Sequence, residues 1–421
     1  MSVVHLSTND FTGGAARAAF RLHRGLSSIG EASHMFVRNK DSRNEDVRVY
    51  DRSSGWLERL KDRFKRRWLN RRFNRYQETR PEGLEIFSQA RTLDGHRVVD
   101  ALPDADVYNL HWIRGFIDPS PFFQQTQQPV VWTLHDMNPF TGGCHYNVRC
   151  NQYRESCGQC PQLGSTDEND LSRSVWSRKE RAYREAIENG RLEVVAPSEW
   201  LAEEARRSTL FSKAPVHVIP NGLDHETFHP RNTDGLRSAL SIPADHRVLL
   251  FVADSTQNRR KGFDLLQDAL SGLDDEAVAL VSIGSHEPEL EVSVPHVHLG
   301  AIQSDVLLSV FYSLADLFVI PSRQDNLPNT VLESMACGTP VVGFDTGGIP
   351  DMVRPGETGW LAESENARSL RETIEHALCD DVARRRRGAR CRDVVEEEYT
   401  LQVQARAYKK LYERLLTQNE K

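Results

Sequence analysis

Short apolar runs alternate with amphipathic helical stretches along the whole chain, and they fall into two successive series. In the first series, the helical spacing of Ala, Phe and Leu predicts a helix over Ala15–Ser28. Nearly continuous apolar runs separated by helices are typical of parallel strands buried on both faces, so this half is predicted to be an α/β domain. Its strand candidates are Val3–Leu6, His34–Val37, Val107–Leu110, Val130–Leu134 and Leu192–Ala196.

A second series of the same kind begins after the turn at 218–222 and predicts a second α/β domain. The polar, proline-containing stretch at about 228–246 is interpreted as the hinge between the domains. The predicted domains cover 1–230 and 231–398, and a last helix within 399–421 is expected to pack back on the first domain. The second set of strand candidates is Val248–Ala253, Val278–Ile283, Val297–Leu299, Leu317–Ile320 and Pro340–Phe344.

Two consecutive sheets of this type predict where a ligand binds. Parallel sheets bind ligands at the carboxyl ends of their strands. If the two Rossmann-like sheets face each other, these ends meet in a cleft between the domains. The motifs that follow all lie at predicted strand ends.

Composition narrows the function without naming it. Of 421 residues, 39% are hydrophobic and 27% are charged, and the net charge of -7 gives no general attraction to nucleic acid. No apolar run has the length needed to cross a bilayer, and the first ten residues lack the charge and apolar block of a signal peptide. The sequence therefore predicts a cytoplasmic protein.

Glycine-rich turns follow a strand in each half. Gly13 and Gly14 open the first helix, where glycines allow close backbone approach and the helix start attracts phosphate. A similar turn, 343–351, follows the last strand of the second half. Each is equally well interpreted as a tight turn with no ligand.

The most informative string is Pro321–Pro340, in which a polar loop links the strand ending at Ile320 to a helix starting near Asn329 or Thr330. Asp325 lies on the loop and Glu333 about one turn inside the helix. Each carboxylate can accept two hydrogen bonds from a vicinal diol, as found in a sugar or a ribose. The helix start is suited to a diphosphate, whereas a plain helix cap with a solvated Glu is the alternative. The remaining candidate contacts are Asn326, Leu327, Asn329 and Thr330.

This string resembles the segment of glycosyltransferase family 4 that binds the nucleotide-sugar donor, in which two acidic residues are separated by seven others. The Asp-Asn-Leu-Pro-Asn loop is similar to that of a bacterial exopolysaccharide subgroup, although Asp325 stands where most members have Glu. The resemblance covers nearly the full length and implies a two-domain GT-B fold. It also implies that Glu333 holds the ribose hydroxyls and that Asp325 holds the transferred sugar of a UDP- or GDP-sugar.

A basic turn, Arg259-Arg260-Lys261-Gly262, matches the family segment that brings a lysine to the donor diphosphate. A cation there offsets the charge that develops on the departing nucleotide. The resemblance assigns this role to Lys261. Ser255 stands where the family usually has an Arg, so Arg259 or Arg260 is expected to substitute for it. The alternative is a solvated basic turn.

In the first half, His135 and Asp136 close a strand. A lone His is most often structural, but this one matches the family's active-site His, which contacts the donor sugar. Asp136 either orients that His or caps a turn. The pair His111-Trp112 also ends a strand and is a candidate for contact with the acceptor.

The family resemblance implies transfer with retention of anomeric configuration and without a long-lived covalent intermediate. No Ser/His/Asp or Cys/His nucleophile constellation is evident beside these motifs. The protein would therefore position the two substrates and stabilise the leaving diphosphate. Because no Asp-x-Asp motif lies in this segment, no catalytic divalent metal is expected.

Four of the seven cysteines crowd into one loop, at Cys144, Cys150, Cys157 and Cys160. Four thiolates suit tetrahedral zinc, and a closed four-ligand site is structural. The sequence predicts such a zinc site, with His145 as a replacement ligand. Reduced thiols without a metal and redox disulfides are the alternatives.

The segment 56–80 contains two lysines and eight arginines against three acidic residues. Leu57, Leu60, Phe64 and Trp68 recur at helical spacing, as in a basic amphipathic helix that lies on an anionic membrane surface. A surface helix packed on its own domain is the alternative. Membrane contact at the inner membrane suits an acceptor that is a polyprenyl-diphosphate-linked saccharide.

The sequence thus predicts a retaining glycosyltransferase that extends a bacterial surface polysaccharide, cytoplasmic or peripheral on the membrane. A nucleotide-sugar epimerase of the same fold would use the same donor contacts without an acceptor. A non-catalytic scaffold of a polysaccharide assembly complex is the second alternative. Nucleic-acid binding is not expected, since no recognised module surrounds the basic segment.

Overall fold

The computed structural model describes residues 1–51, 56–273, 277–290 and 294–419. The chain forms two compact units. The first consists of Met1–Pro220 together with the chain from Gln404 onward, and the second consists of Asn221–Val403.

The first unit contains a parallel sheet with helices packed against it. Its elements are β1 Ser2–Asn9, α1 Gly14–Ser28, β2 Ala32–Asn39, β3 Val47–Val49, α2 Trp56–Asn74, α3 His96–Asp100, β4 Val107–Leu110, α4 Pro119–Gln125, β5 Val130–Thr133, α5 Leu171–Glu188, β6 Leu192–Ala196, α6 Glu199–Arg207 and β7 Val216–Val218. Within the described residues the strand order is β3-β2-β1-β4-β5-β6-β7. The order reverses at β1 and β4, which places their carboxyl ends at a topological switch point.

The second unit repeats this architecture with a parallel sheet of order β10-β9-β8-β11-β12-β13. Its elements are α7 Leu236–Ala239, β8 Arg247–Ser255, α8 Phe263–Leu270, β9 Val278–Ser285, β10 His296–His298, α9 Asp305–Leu314, β11 Leu317–Ile320, α10 Asn329–Ala336, β12 Val341–Phe344, α11 Ile349–Met352, β13 Gly359–Ala362, α12 Ala367–Cys379 and α13 Asp381–Glu398. The last helix, α14 Leu401–Asn419, begins in this unit and continues into the first.

Apolar strands are buried on both faces in each unit, which explains why their sequences are nearly continuous apolar runs. β4, β5 and β6 are buried at every position. One face of the first sheet packs on a cluster that includes Tyr408 and Tyr412 of α14. Tyr412 Oη accepts a hydrogen bond from Asn109 at 2.7 Å, and Tyr408 Oη lies 2.9 Å from Thr133 Oγ1. The last helix is thus an integral part of the first unit.

The stretch at 228–246 differs from the predicted hinge. Phe228 and Ile242 are buried in the core of the second unit, and Leu236 and Leu240 pack against it. The division between the units lies at Pro220 instead. The sequence indicates a hinge because most residues of this stretch are polar, whereas its few apolar residues pack in the core of the second unit.

The basic segment forms α2 as its helical spacing indicates. The side chains of Trp56, Leu57, Leu60 and Trp68 lie outside what the structure describes, whereas Phe64 is 71% exposed. In the described part of the chain, no helix combines the length and the apolar character required to span a membrane.

Candidate functional site

A compact ionic cluster lies at the carboxyl end of β11 in the second unit. Asp325 Oδ2 accepts a hydrogen bond from Lys261 Nζ at 2.7 Å, and Arg260 Nη1 lies 3.2 Å from the same oxygen. Ser322 Oγ donates to that oxygen at 3.3 Å. The structure therefore brings together three of the residues selected from the sequence, which come from two loops far apart in the chain.

Charge neutralisation keeps the Asp325 carboxylate ionised in a buried position. Burial by itself raises its pKa, but the cations of Lys261 and Arg260 and the hydrogen bond from Lys261 lower the pKa to about 2. The backbone N–H of Asn326 also donates to Asp325 Oδ1 at 3.1 Å. The carboxylate is thus a fixed hydrogen-bond acceptor at all physiological pH values.

Two glycines allow the loops around this cluster to approach closely. Gly262 has φ +71, and a Cβ there would lie 1.8 Å from the carbonyl oxygen of Pro321. Gly347 has φ +58, and its Cβ would lie 2.0 Å from the carbonyl oxygen of Asp325. Both turns, including the one at 343–351 that the sequence left open, therefore have a packing reason to contain glycine.

Glu333 is buried at 3% exposure inside α10, one turn after its start. Its Oε2 accepts a hydrogen bond from the hydroxyl of Tyr312 at 3.1 Å. Asn326 and Leu327 are buried in the preceding loop, and Asn329 and Thr330 are the first two residues of α10. A buried carboxylate held by a tyrosine is an acceptor in a fixed position, which a solvated helix charge is not.

Ser255 does not join this cluster. It ends β8, where its Oγ lies 3.3 Å from Nδ1 of His286. Arg260 Nη1 instead donates to the carbonyl oxygen of Gln324 at 3.0 Å, which holds its guanidinium beside Asp325. Arg260 therefore belongs to the ionic cluster, and its role as a substitute for the family Arg stays a prediction.

A pocket in the first unit contains the histidine motif. His135 and Asp136 follow β5, and both line this pocket, together with Trp112. Trp112 Nε1 donates to Asp136 Oδ2 at 3.1 Å. The two strand-end motifs of the sequence, 111–112 and 135–136, therefore meet in one place, which we call the histidine pocket.

Three imidazoles form a continuous hydrogen-bonded chain that begins in the wall of this pocket. His135 Nε2 lies 3.0 Å from His111 Nδ1, and His111 Nε2 lies 2.9 Å from His5 Nδ1. Burial lowers the pKa of all three, that of His135 to about 4 although Asp136 raises it. The imidazoles are therefore neutral at pH 7, and a neutral imidazole can donate from one ring nitrogen and accept at the other. The chain ends at His5, whose buried Nε2 has no hydrogen-bond partner among the described residues.

A Ser/His/Asp series also lies in the histidine pocket, contrary to the expectation from the sequence. Ser88 Oγ is 2.7 Å from His145 Nε2, and His145 Nδ1 is 2.6 Å from Asp136 Oδ2. The backbone N–H of Ser88 is engaged by the carbonyl of Gly143 at 2.8 Å. The series thus connects the cysteine loop to Asp136 through His145. Asp136 therefore orients His145, in addition to following His135 in the sequence.

Sequence reasoning missed three polar residues of this pocket. Ser88 lies in a stretch without motif, and His145 was weighed as a zinc ligand. Lys179 of α5 is buried and donates to the carbonyl oxygen of Thr141 at 3.0 Å, and burial lowers its pKa to about 8. A lysine at an inward-facing position of an otherwise amphipathic helix was the available signal.

The glycine turn after β1 forms as predicted. Gly13 has φ +95, and α1 begins directly at Gly14. Thr12 Oγ1 donates to Asp41 at 2.6 Å, which fixes the turn to the neighbouring loop. No atom would lie within 4 Å of a Cβ at position 13, so glycine is favoured there by its positive φ and not by close packing.

The four loop cysteines line one small cavity, and none of them is in a disulfide. Cys157 Sγ accepts a hydrogen bond from the backbone N–H of Gly142 at 3.2 Å. Burial raises the pKa of Cys157 to about 12 and that of Cys160 to about 11. Across the described residues, no three His, Cys, Asp or Glu side chains are grouped to hold a metal ion, so the predicted zinc is not supported.

Family models cover most of the chain. A model described as "Glycosyltransferase Family 4" matches residues 12–227, and one described as "Glycosyl transferases group 1" matches residues 246–380.

Individual relatives match parts of the chain. D-inositol 3-phosphate glycosyltransferase 1 of Catenulispora acidiphila is 34% identical over 196 residues, which are 42% of this chain and 46% of the relative. Spore coat protein SA of Bacillus subtilis is 27% identical over 247 residues, which are 53% of this chain and 65% of that protein. The matched regions thus span between 46% and 65% of the length of these curated relatives.

Solved structures match over nearly the full length. Sucrose-phosphate synthase from Thermosynechococcus elongatus is similar with a TM-score of 0.68 at 19% identity, covering 99% of this chain and 100% of that one. Anabaena HepE in complex with UDP and glucose is similar with a TM-score of 0.67 at 16% identity, covering 98% and 99%. With the two parallel sheets, these likenesses confirm the predicted GT-B fold of two Rossmann-like units.

Proposed function

Because the chain belongs to glycosyltransferase family 4, we propose that it transfers a sugar from a nucleotide-diphosphate sugar to a saccharide acceptor. The observation that carries this proposal is the buried Asp325 with Lys261 and Arg260 at the carboxyl end of β11. A carboxylate beside two cations offers acceptors for sugar hydroxyls and donors for a diphosphate in one place. The donor is a UDP- or GDP-sugar, and Anabaena HepE was solved with UDP and glucose.

The proposed roles follow from these contacts. Lys261 and Arg260 bind the diphosphate and stabilise the charge that develops as it departs. Asp325 accepts hydrogen bonds from the transferred sugar, and Glu333, held by Tyr312, accepts them from the ribose. The helix start at Asn329 and Thr330, and the turn at Gly13 and Gly14, are further candidate contacts for phosphate.

We assign the histidine pocket to the reacting sugar and the acceptor. The neutral His135 offers a hydrogen bond without carrying charge, and Asp136 holds Trp112 at the pocket wall. The acceptor hydroxyl forms the new bond to the anomeric carbon while the bond to the diphosphate breaks. Its proton leaves with the diphosphate, and the anomeric configuration is retained.

We further propose that the acceptor is linked to a lipid, such as a polyprenyl diphosphate, in surface polysaccharide synthesis. The basic α2 with its exposed Phe64 supports peripheral contact with an anionic inner-membrane surface. Such contact would bring the enzyme to an acceptor that is confined to the membrane.

Release of nucleoside diphosphate from a panel of UDP- and GDP-sugars tests the proposal. Purified protein is assayed with and without a membrane lipid extract, beside Lys261→Ala and Glu333→Ala. Release with one donor that requires the extract and is lost in both variants is expected. Release without any acceptor product would indicate epimerisation or hydrolysis, and donor binding without release would indicate a scaffold.

Zinc in the cysteine loop stays a prediction. The four cysteines line one cavity, but among the described residues no three of them are grouped so as to hold a metal ion. Metal analysis of the purified protein and of Cys157→Ser decides between the alternatives. One zinc per chain in the first and none in the second is the result expected for a structural site.

A further inference from the structure

Five arginines line one depression on the first unit. Arg72 lies in the last turn of α2, Arg91 lies in the loop that follows this helix, and Arg173, Arg178 and Arg181 lie on α5. Ser177 lines the depression as well, and the spacing of 173, 177 and 181 places these three positions on one face of α5. We call this surface, defined by its five arginines, the arginine depression.

Its positive charge is poorly balanced. Among the described residues that line the depression there is no Asp or Glu. Arg178 is neutralised by Asp118 at its edge, with Nη2 2.8 and 2.7 Å from the two carboxylate oxygens. Burial and then the neighbouring guanidinium groups of Arg178, Arg72 and Arg181 lower the pKa of Arg91 against the pull of Asp118.

Two of the guanidinium groups also hold unused donors. The Nε atoms of Arg173 and Arg178 are buried and have no hydrogen-bond partner among the described residues. A buried donor without an acceptor is destabilising. A ligand with several acceptor oxygens would accept hydrogen bonds from the guanidinium groups that line the depression and would offset their clustered charge.

The depression adjoins the histidine pocket. Gln89 and Ala90 line both, so a single ligand can lie across them. Arg72 Nη2 donates a hydrogen bond at 2.7 Å to Ser174 Oγ, which also lines the depression. An anionic group bound by the arginines would therefore carry an attached sugar toward His135 and Trp112.

We propose that the arginine depression binds the phosphate or diphosphate ester of the saccharide acceptor. This inference rests on the proposed glycosyl transfer and specifies its acceptor as anionic. The two diphosphates of the reaction are then bound in different units, the donor's by Lys261 and Arg260 and the acceptor's by the arginines. The same phosphate chemistry can come from a soluble sugar phosphate or from a lipid-linked saccharide.

Calorimetric titration with inorganic pyrophosphate tests the site. It is done in Lys261→Ala protein, so that binding at the donor cluster does not mask the result. Arg173→Gln and Arg181→Gln should each raise the Kd about tenfold, since each removes a charge-assisted contact. Arg184→Gln is the matched control, because Arg184 lies on the same helix and is paired with Glu180 at 2.5 Å.

An unchanged Kd in both variants, or an equal change in the control, would overturn the proposal. Binding of the donor nucleotide is measured in the same arginine variants with Lys261 intact. If the variants still bind the donor nucleotide and their Kd for pyrophosphate is unchanged, this acceptor site is refuted, whereas the transferase proposal is unaffected. If the wild-type protein turns over no donor, the transferase proposal is refuted independently of the arginine variants.

Vesicle flotation separates the sources of the phosphate. Vesicles with and without polyprenyl phosphate are compared, both containing phosphatidylglycerol. Loss of the polyprenyl-phosphate-dependent part in Arg173→Gln indicates a lipid-linked acceptor, whereas pyrophosphate binding without that dependence indicates a soluble one. If the variant loses binding to phosphatidylglycerol alone while its pyrophosphate Kd is unchanged, the arginines contact lipid headgroups and the proposal is wrong.

Discussion

Lys261 Nζ lies 2.7 Å from Asp325 Oδ2, and this ion pair joins two segments that are 64 residues apart in the chain. The pair presents a cation and an anion side by side at one strand end. In the proposed reaction, each contacts a different part of the donor, so substitutions of the two partners should have different effects.

Lys261→Ala should lower nucleoside-diphosphate release by roughly 100-fold, because one preorganised donor to the developing charge is removed.

Asp325→Asn should abolish sugar transfer but keep or improve the binding of nucleoside diphosphate. Binding is kept because Lys261 and Arg260 are no longer neutralised by the carboxylate. Calorimetry for binding and turnover for transfer separate the two. Asp264→Asn is the control, since that carboxylate pairs with Arg323 and is largely exposed.

Gly347→Ala should damage the donor cluster far more than Gly356→Ala. Both glycines have positive φ, at +58 and +83, so each alanine carries about 1–2 kcal/mol of backbone strain. At 347 the added Cβ would also lie 2.0 Å from the Asp325 carbonyl oxygen, whereas at 356 no atom lies within 4 Å. Thermal unfolding and donor Kd measure the difference, and equal losses in the two variants would contradict the packing role.

Asp136→Asn should destabilise the first unit by about 1–3 kcal/mol, because it removes the carboxylate that His145 and Trp112 share. Ser88→Ala removes the outer bond of the same series and should cost about 1 kcal/mol. Urea unfolding, followed by tryptophan fluorescence, measures both. A Ser88→Ala loss larger than that of Asp136→Asn would mean that the serine, and not the carboxylate, anchors the loop.

Folding stability should fall as the pH decreases from about 6.5 towards 4. Burial lowers the pKa of His5, His23, His111 and His135, those of His23 and His135 to about 4. In the unfolded chain these histidines take up protons below pH 6.5, whereas in the folded protein they stay neutral over this range. Acid therefore favours unfolding. Each such histidine contributes about 1.4 kcal/mol per pH unit in that range.

Urea unfolding at pH 7 and pH 5 measures this dependence, and His23→Gln should reduce the slope by about one proton. The same slope in the variant and the wild type would show that His23 does not carry the effect. Asp325 acts at lower pH, since its depressed pKa means that its stabilising charge is lost only as the pH falls from about 4 through 2.

The strands and their ends could be predicted closely from the sequence because burial on both faces leaves nearly uninterrupted apolar runs. Val107–Leu110, Leu192–Ala196 and Leu317–Ile320 match the structure at both ends. Since loops at the carboxyl ends of neighbouring strands converge, Asp325 and Lys261 could also be expected in one place.

Contacts formed by irregular segments could not be predicted in the same way. Ser88 and His145 are 57 residues apart, and neither lies on a strand whose register would place it. The arginine depression likewise depends on how α2 and its following loop lie against α5, which helical spacing within one helix does not determine. The hinge was misplaced for a related reason, since Phe228 and Ile242 are isolated apolar residues in a polar stretch.

The helix α14 has a consequence for the order of folding. Its tyrosines complete the core beneath β4 and β5 of the first unit, yet the ribosome makes it only after the whole second unit. Until α14 is made, that face of the first sheet is covered only in part, by Leu22 and Leu26 of α1, whereas the second unit can fold without delay. Biogenesis is thus sequentially inverted: the unit begun first is completed last, and shortening the chain by this one helix would leave the earlier-made half without its closure.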